Sequence, residues 1–230
     1  MKKLIKKRLP FIYNLLVKIK LKLTTHSKKI YSQFGEDAVL LSYIGDKKNG
    51  FYIDVGAYHP HRFSNTYLFY KKGWSGINID AKPGSMKDFK KTRKRDINIG
   101  KGVSNKTTVL DYYMYTEPAY NTFSKEKYKN LKEKNITPFK ITKVDVDKLE
   151  NILKNNLLLK QEIDFMSIDV EGHTIEVLES NNWNIYRPRY ILVETHGFNK
   201  EDEVNLFLEK NDYKIVSIAN ITSIYKNIRQ

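Results

Sequence analysis

The chain contains no cysteine, which excludes disulfides and thiolate metal sites and leaves carboxylate, imidazole or carbonyl groups to hold any metal. Missing cysteine is compatible with a reducing cytoplasm, where this reading places the protein. Its 11 glycines and 6 prolines do not describe a low-complexity chain. At 230 residues and 40% hydrophobic content, it is long and apolar enough for one α/β domain with a sizeable core. Acidic residues are missing altogether from residues 1–30, which carry ten cations (Lys2, Lys3, Lys6, Lys7, Arg8, Lys18, Lys20, Lys22, Lys28 and Lys29). The formal net charge of +15 therefore falls to +5 over residues 31–230.

Among those cations lie Leu4, Ile5, Leu9, Phe11, Ile12, Leu15, Leu16, Val17 and Ile19, the pattern of a basic amphipathic helical extension. Its apolar run is far too short to span a membrane. Lys18, Lys20 and Lys22 interrupt the run, and no small-residue cleavage site follows, so a secretory signal is disfavoured. Three roles stay open for the extension: a solvated helix on the domain, peripheral contact with an anionic membrane surface, or docking to a partner. No nucleic-acid partner is expected, because no zinc-finger spacing or aromatic β-platform motif accompanies the basic charge. The division is thus a basic extension over 1–30 and one domain over 31–230.

Along that domain, YSQFGEDAVLLSYIG (31–45) spaces Ala38, Val39, Leu41 and Ile44 as a helix that stops at Gly45. FYIDV (51–55) reads as a buried strand. SNTYLFYKKGW (64–74) predicts a helix with a Ser/Asn cap and Tyr67, Leu68, Tyr70 and Trp74 on one face, and SGINID a second strand. A third strand is expected over 97–103, followed by an aromatic strand and a loop over the site (108–124). ITKVDVD gives another strand, IDFMSID a fourth buried one and RYILVE a fifth, with helices between and a hairpin at the end. Strands alternating with helices predict a doubly wound, mostly parallel α/β sheet with ligands outside the strands' carboxyl ends. Gly56, Asp80, Asp169, Glu171, Glu194 and His196 all fall just after strands, which points to a polar cleft there.

The first strand-to-helix turn also lacks something. After Gly56, where a pyrophosphate would need two further glycines, the sequence has Tyr58, His59, Pro60 and His61. An acid ending the second strand, Asp80, can accept from both ribose hydroxyls of NAD or of S-adenosylmethionine. The lone glycine with Asp54 favours the second, which carries no phosphate.

YSQFGEDAVL, FYIDVGAYHPHRFSNTYLFY with GWSGINIDAKPG, and IDFMSIDVEGHTIEVL with YILVETHG together resemble the FkbM family of S-adenosylmethionine-dependent methyltransferases over about residues 30–200. The resemblance implies a seven-stranded class I methyltransferase sheet. It also implies O-methylation of a sugar in polysaccharide or glycoconjugate biosynthesis, or of another natural product, with a nucleotide- or lipid-linked sugar as acceptor. On it, Asp54 and Gly56 would lie by the methionine portion, Asp80 by the ribose, and Gly102 and Ser104 near the adenine, while Gln33 would reach over cofactor or substrate. Ser32 would pair with backbone amides at a helix start. His59 and His61 depart from the family's small residues and are placed toward the acceptor. A degenerate fold that serves only to bind membrane or nucleic acid is the non-enzymatic alternative.

Methyl transfer to a hydroxyl requires an oriented acceptor and a route for its proton. Asp169, Glu171, His173 and His196 are the candidate catalytic groups. Asp169, Glu194 and His196 are the candidate ligands of a divalent magnesium or manganese ion that would acidify the hydroxyl. Glu194 and His196 share a face of one strand, two residues apart.

Overall fold

A computed structural model of the chain describes residues 29–158, 160–195 and 202–229. The basic extension lies outside the described residues except for its last two positions, and His196 also lies outside them. The elements run α1 (Glu36–Ile44), β1 (Phe51–Val55), α2 (Tyr67–Lys71), β2 (Ser75–Ile79), α3 (Met86–Thr92), β3 (Ile97–Ile99), β4 (Gly102–Val103) and β5 (Thr108–Met114). After a 3₁₀ turn (Pro118–Tyr120) come α4 (Lys125–Glu133), β6 (Lys140–Asp147), α5 (Leu149–Asn156), β7 (Phe165–Ile168), α6 (Thr174–Glu179), β8 (Tyr190–Glu194), α7 (Glu203–Lys210), β9 (Tyr213–Ala219) and β10 (Thr222–Asn227).

Seven strands form one sheet in the order β3-β2-β1-β7-β8-β10-β9, parallel except for β10, which is antiparallel to both β8 and β9. The central strands are buried on both faces, and their near-continuous apolar sequences follow from that. Alternation along β1 sends Ile53 and Val55 to one core with Ile77, Leu149, Met166 and Val177. Tyr52 goes to the other with Leu40, Phe69, Trp74 and Phe165. Asp54 therefore shares the face of Tyr52, toward α2.

From β1 the chain winds outward through β2 to β3, and from β7 it winds the opposite way to β8. The crevice opens where those directions part, at the carboxyl ends of β1 and β7. Gly56 sits in this seam with φ +83, and a Cβ there would lie 1.7 Å from the carbonyl oxygen of Asp169. The glycine is demanded by the close passage of these two turns as well as by its backbone angle.

Three readings of the sequence need correction. The strand expected over 97–103 is two strands: β3 stays in the main sheet, while β4 pairs with β6 in a separate sheet of order β4-β6-β5. ITKVDVD belongs to that second sheet, antiparallel to β5, so it does not continue the parallel rhythm. In α2 the buried side chain is Phe69. Trp74 is buried from beyond the helix end, with its indole nitrogen donating to the Lys47 carbonyl at 3.1 Å. Ser64 does serve the start of α2, accepting from the Tyr67 amide at 3.1 Å, while Asn65 turns instead to Ser167. In α1 the buried positions are Glu36, Asp37 and Leu40: Glu36 lines the cleft, whereas Asp37 turns back to accept from the Tyr31 amide at 2.8 Å. Ser32 accepts from the Asp37 amide at 3.2 Å and donates to the Asp37 carboxylate at 2.8 Å.

Candidate active site

A cleft of about 410 Å³ opens over the carboxyl ends of β1, β2, β7 and β8, and the segment between β5 and α4 contributes Glu117, Pro118, Ala119, Asn121 and Phe123 to its lining. Gln33, Asp54, Gly56, Asp80, Asp169, Glu171 and Glu194 all line it.

At the β1–β2 end, Asp80 is buried yet anchored. One carboxylate oxygen accepts from the Tyr58 amide and the other from the Lys82 amide, both at 2.9 Å. Burial raises its pKa and these hydrogen bonds oppose the rise. The Ser85 hydroxyl also bonds to Asp80 and opposes the rise; of a carboxylate's about four lone-pair sites, one then remains for a ligand in the cleft. Asp54 accepts from the Thr66 hydroxyl at 2.9 Å, and burial pushes its carboxyl up to about 6. An acid end with open acceptor positions, next to a turn that has no phosphate cradle, fits the ribose and the cationic methionine portion of S-adenosylmethionine.

At the β7–β8 end, carboxylate oxygens of Asp169, Glu171 and Glu194 all lie within 4.8 Å of one another. Asp169 keeps contact with solvent through the cleft, but protein crowds its carboxyl. That crowding, and then the charges of Glu194 and Glu171, hold its pKa well above the usual carboxylate range. Glu171 takes a positive φ of 52 and pairs with Lys127 of α4, while its carbonyl accepts from the Thr122 hydroxyl at 2.7 Å. The segment over the cleft is thereby tied to its floor.

Other candidates are placed differently. His173 is buried and does not line the cleft: Nε2 lies 3.0 Å from the Ser104 hydroxyl and Nδ1 3.5 Å from Glu176, and burial lowers its pKa. It sits at the start of α6, apart from the acids of the cleft lining. Ser104, its partner, is likewise outside the lining, as is Gly102, where a Cβ would lie 2.7 Å from the ring of Phe123. Gly102 acts by letting Phe123 seat as a cleft wall. His59 and His61 do not face the cleft either. Nδ1 of His59 accepts from the His61 and Arg62 amides at 3.1 and 3.0 Å, and His61 packs on Tyr67.

Several lining residues were not singled out in the sequence. Glu36, in the GED motif, accepts from the Phe34 amide at 2.8 Å and the Thr222 hydroxyl at 3.2 Å. Asn65 donates to Ser167 at 3.0 Å, and Tyr112 lies near Asp80 and Glu171. The motif itself was a signal for Glu36; nothing local marked Asn65 or Tyr112.

The sheet order and an acid-lined crevice at its switch point define a class I methyltransferase dependent on S-adenosylmethionine. Residues 54–215 match the family described as Methyltransferase FkbM domain, and the chain belongs to that family. No curated protein sequence matches it. Among solved structures, it is similar to precorrin-6y C5,15-methyltransferase from Geobacter metallireducens (11% identity, TM-score 0.48, 91% of this chain and 95% of that one). It is also similar to a TehB-like methyltransferase from Corynebacterium glutamicum (10%, 0.41, 95% and 99%) and a methyltransferase from Aquifex aeolicus (13%, 0.38, 91% and 96%).

Proposed function

We propose that the chain transfers the methyl group of S-adenosylmethionine to a hydroxyl oxygen of a sugar, in the making of a polysaccharide or glycoconjugate. The observation that carries O-methylation is the grouping of Asp169, Glu171 and Glu194 across the cleft from Asp54 and Asp80. In the transfer, an O–CH₃ bond forms as the S–CH₃ bond breaks, S-adenosylhomocysteine leaves and the hydroxyl proton must be taken up. The carboxylate group is where that proton would go. Glu36, Gln33 and Asn65 would fix the neighbouring hydroxyls of a sugar, and the sugar class itself is supported by family membership.

The three-carboxylate set of Asp169, Glu171 and Glu194 also suits a hard divalent ion such as magnesium or manganese, and His196, expected from the sequence as a nitrogen ligand, would join Asp169 and Glu194 in the alternative set. When bound, such an ion would lower the acceptor hydroxyl's pKa. Among the described residues no helix is long and apolar enough to cross a membrane. We place the protein in the cytoplasm, with residues 1–30 resting on an anionic membrane surface where lipid-linked acceptors would be presented.

The test is release of S-adenosylhomocysteine against a panel of nucleotide-linked sugars, lipid-linked sugars and non-sugar hydroxyl compounds. Turnover confined to the last group would overturn the sugar reading. Chelation is expected to suppress turnover, with magnesium or manganese restoring it, while cofactor binding stays nearly unchanged. Full turnover after exhaustive chelation would leave the carboxyls acting without metal.

A further inference from the structure

In the lysine-rich run KKTRKRD (90–96), Arg93 is fully buried while its neighbours Lys91, Lys94 and Arg95 are exposed. Its guanidinium uses every nitrogen. Nε donates to Asp96 at 2.8 Å, Nη1 to the Pro60 carbonyl at 2.9 Å, and Nη2 to the Tyr52 hydroxyl at 2.7 Å and the Thr66 hydroxyl at 3.0 Å. Asp96, equally buried, is held from below by the Gly76 amide at 3.0 Å, Asn78 at 2.9 Å and the Tyr52 hydroxyl. One side of the guanidinium is therefore fixed to the sheet.

The other side reaches two walls of the cleft. Thr66 has one hydroxyl proton, which goes to Asp54 at 2.9 Å, so the same oxygen must accept from Arg93. Pro60 lies in the loop after Gly56 whose Tyr58, Arg62 and Phe63 line the cleft. A planar fork with donors in fixed directions can serve these separated acceptors together, whereas a lysine ammonium on a flexible stem cannot.

We propose that Arg93 is a positioning residue for S-adenosylmethionine, which orients Asp54 through Thr66 and holds the post-glycine loop through Pro60. This rests on the reading that Asp54 faces the cofactor. Arg93 touches no reacting atom; it fixes the groups that do the binding.

Arg93→Ala would leave Asp96 buried and unpaired and is expected not to fold, so the test uses Thr66→Val, Thr66→Ser, Arg93→Lys and Asp54→Asn in the full chain. Binding of S-adenosylhomocysteine is measured by calorimetry, alongside thermal melts and steady-state kinetics. Thr66→Val is expected to raise Kd about tenfold and to raise KM for S-adenosylmethionine more than it lowers kcat, in a protein that stays folded with a lowered melting temperature. Thr66→Ser, which keeps the hydroxyl, should restore binding. Arg93→Lys should weaken binding while the protein stays folded. In an Asp54→Asn background, Thr66→Val should add nothing further. Folded Thr66→Val and Arg93→Lys proteins with normal affinity, when Asp54→Asn binds poorly, would overturn the role of Arg93 and spare Asp54. Normal affinity in Asp54→Asn would overturn both.

Discussion

The two ends of the cleft hold acids in opposite circumstances. At the β1–β2 end, Asp80 takes a main-chain amide on each oxygen and Asp54 takes a hydroxyl that is itself held by Arg93. At the β7–β8 end, Asp169 shares a cluster with the carboxylates of Glu171 and Glu194 among the described residues, and Lys127 reaches in from a different layer to pair with one of them. The first arrangement offers acceptors that need not move, which suits holding a ligand. The second crowds like charges and so favours taking up a proton or a cation, which suits the step in which a proton must leave a hydroxyl.

The largest effect should come from breaking the second end alone. Glu194→Gln and Asp169→Asn are expected to lower turnover by about 10² to 10⁴ while S-adenosylhomocysteine binds within a few-fold of normal. Parallel losses in rate and cofactor affinity would erase the difference between the two ends.

Asp54 provides a stability contrast. Its carboxyl rises from 3.8 to about 6 on folding, so folding favours the protonated form. That contribution is complete below about pH 3.8 and is lost as pH rises through 6, up to about 3 kcal/mol. Asp54→Asn, which cannot ionise, should match the parent near pH 4 and exceed it in apo stability at pH 7 to 8. Thermal melts across that range check this, and a constant gap would show that Asp54 does not carry the shift.

Asp80→Ala should raise the Kd for S-adenosylmethionine by roughly 10- to 100-fold through loss of an ionised acceptor. Its effect on kcat at saturating cofactor should be small, opposite to Glu194→Gln. The smallest effect on chemistry is expected from deleting residues 1–30: co-sedimentation with anionic vesicles should be lost, at about 1 kcal/mol per cation near the surface, with turnover of a soluble acceptor kept. Full-length protein that ignores such vesicles at low salt would remove membrane contact from the proposal.

The strands were legible because each central one is buried on both faces and so reads as a short apolar run ended by glycine or acid. FYIDV, SGINI and YILVE fall where their sequences place them. The acids after those strands were legible for the same reason, since a strand's end fixes where its next residue emerges. Local pattern failed where partners are distant. Gly102–Val103 continues the apolar character of β3, yet it pairs with β6 more than forty residues later. His173, a candidate base after IDVEG, packs onto Ser104, a contact that no local spacing marks.

The sequence by itself determined the places of β1, β2, β7 and β8, the single glycine at the first turn and the acids at the strand ends, because these follow from burial periodicity and chain direction. Tertiary structure alone decided which of the acids share a charge cluster, why Gly56 tolerates no Cβ, and that one arginine in a run of surface cations is buried beneath the site. Those outcomes depend on groups from separate strands meeting at a few ångströms, and no spacing along the chain encodes such distances.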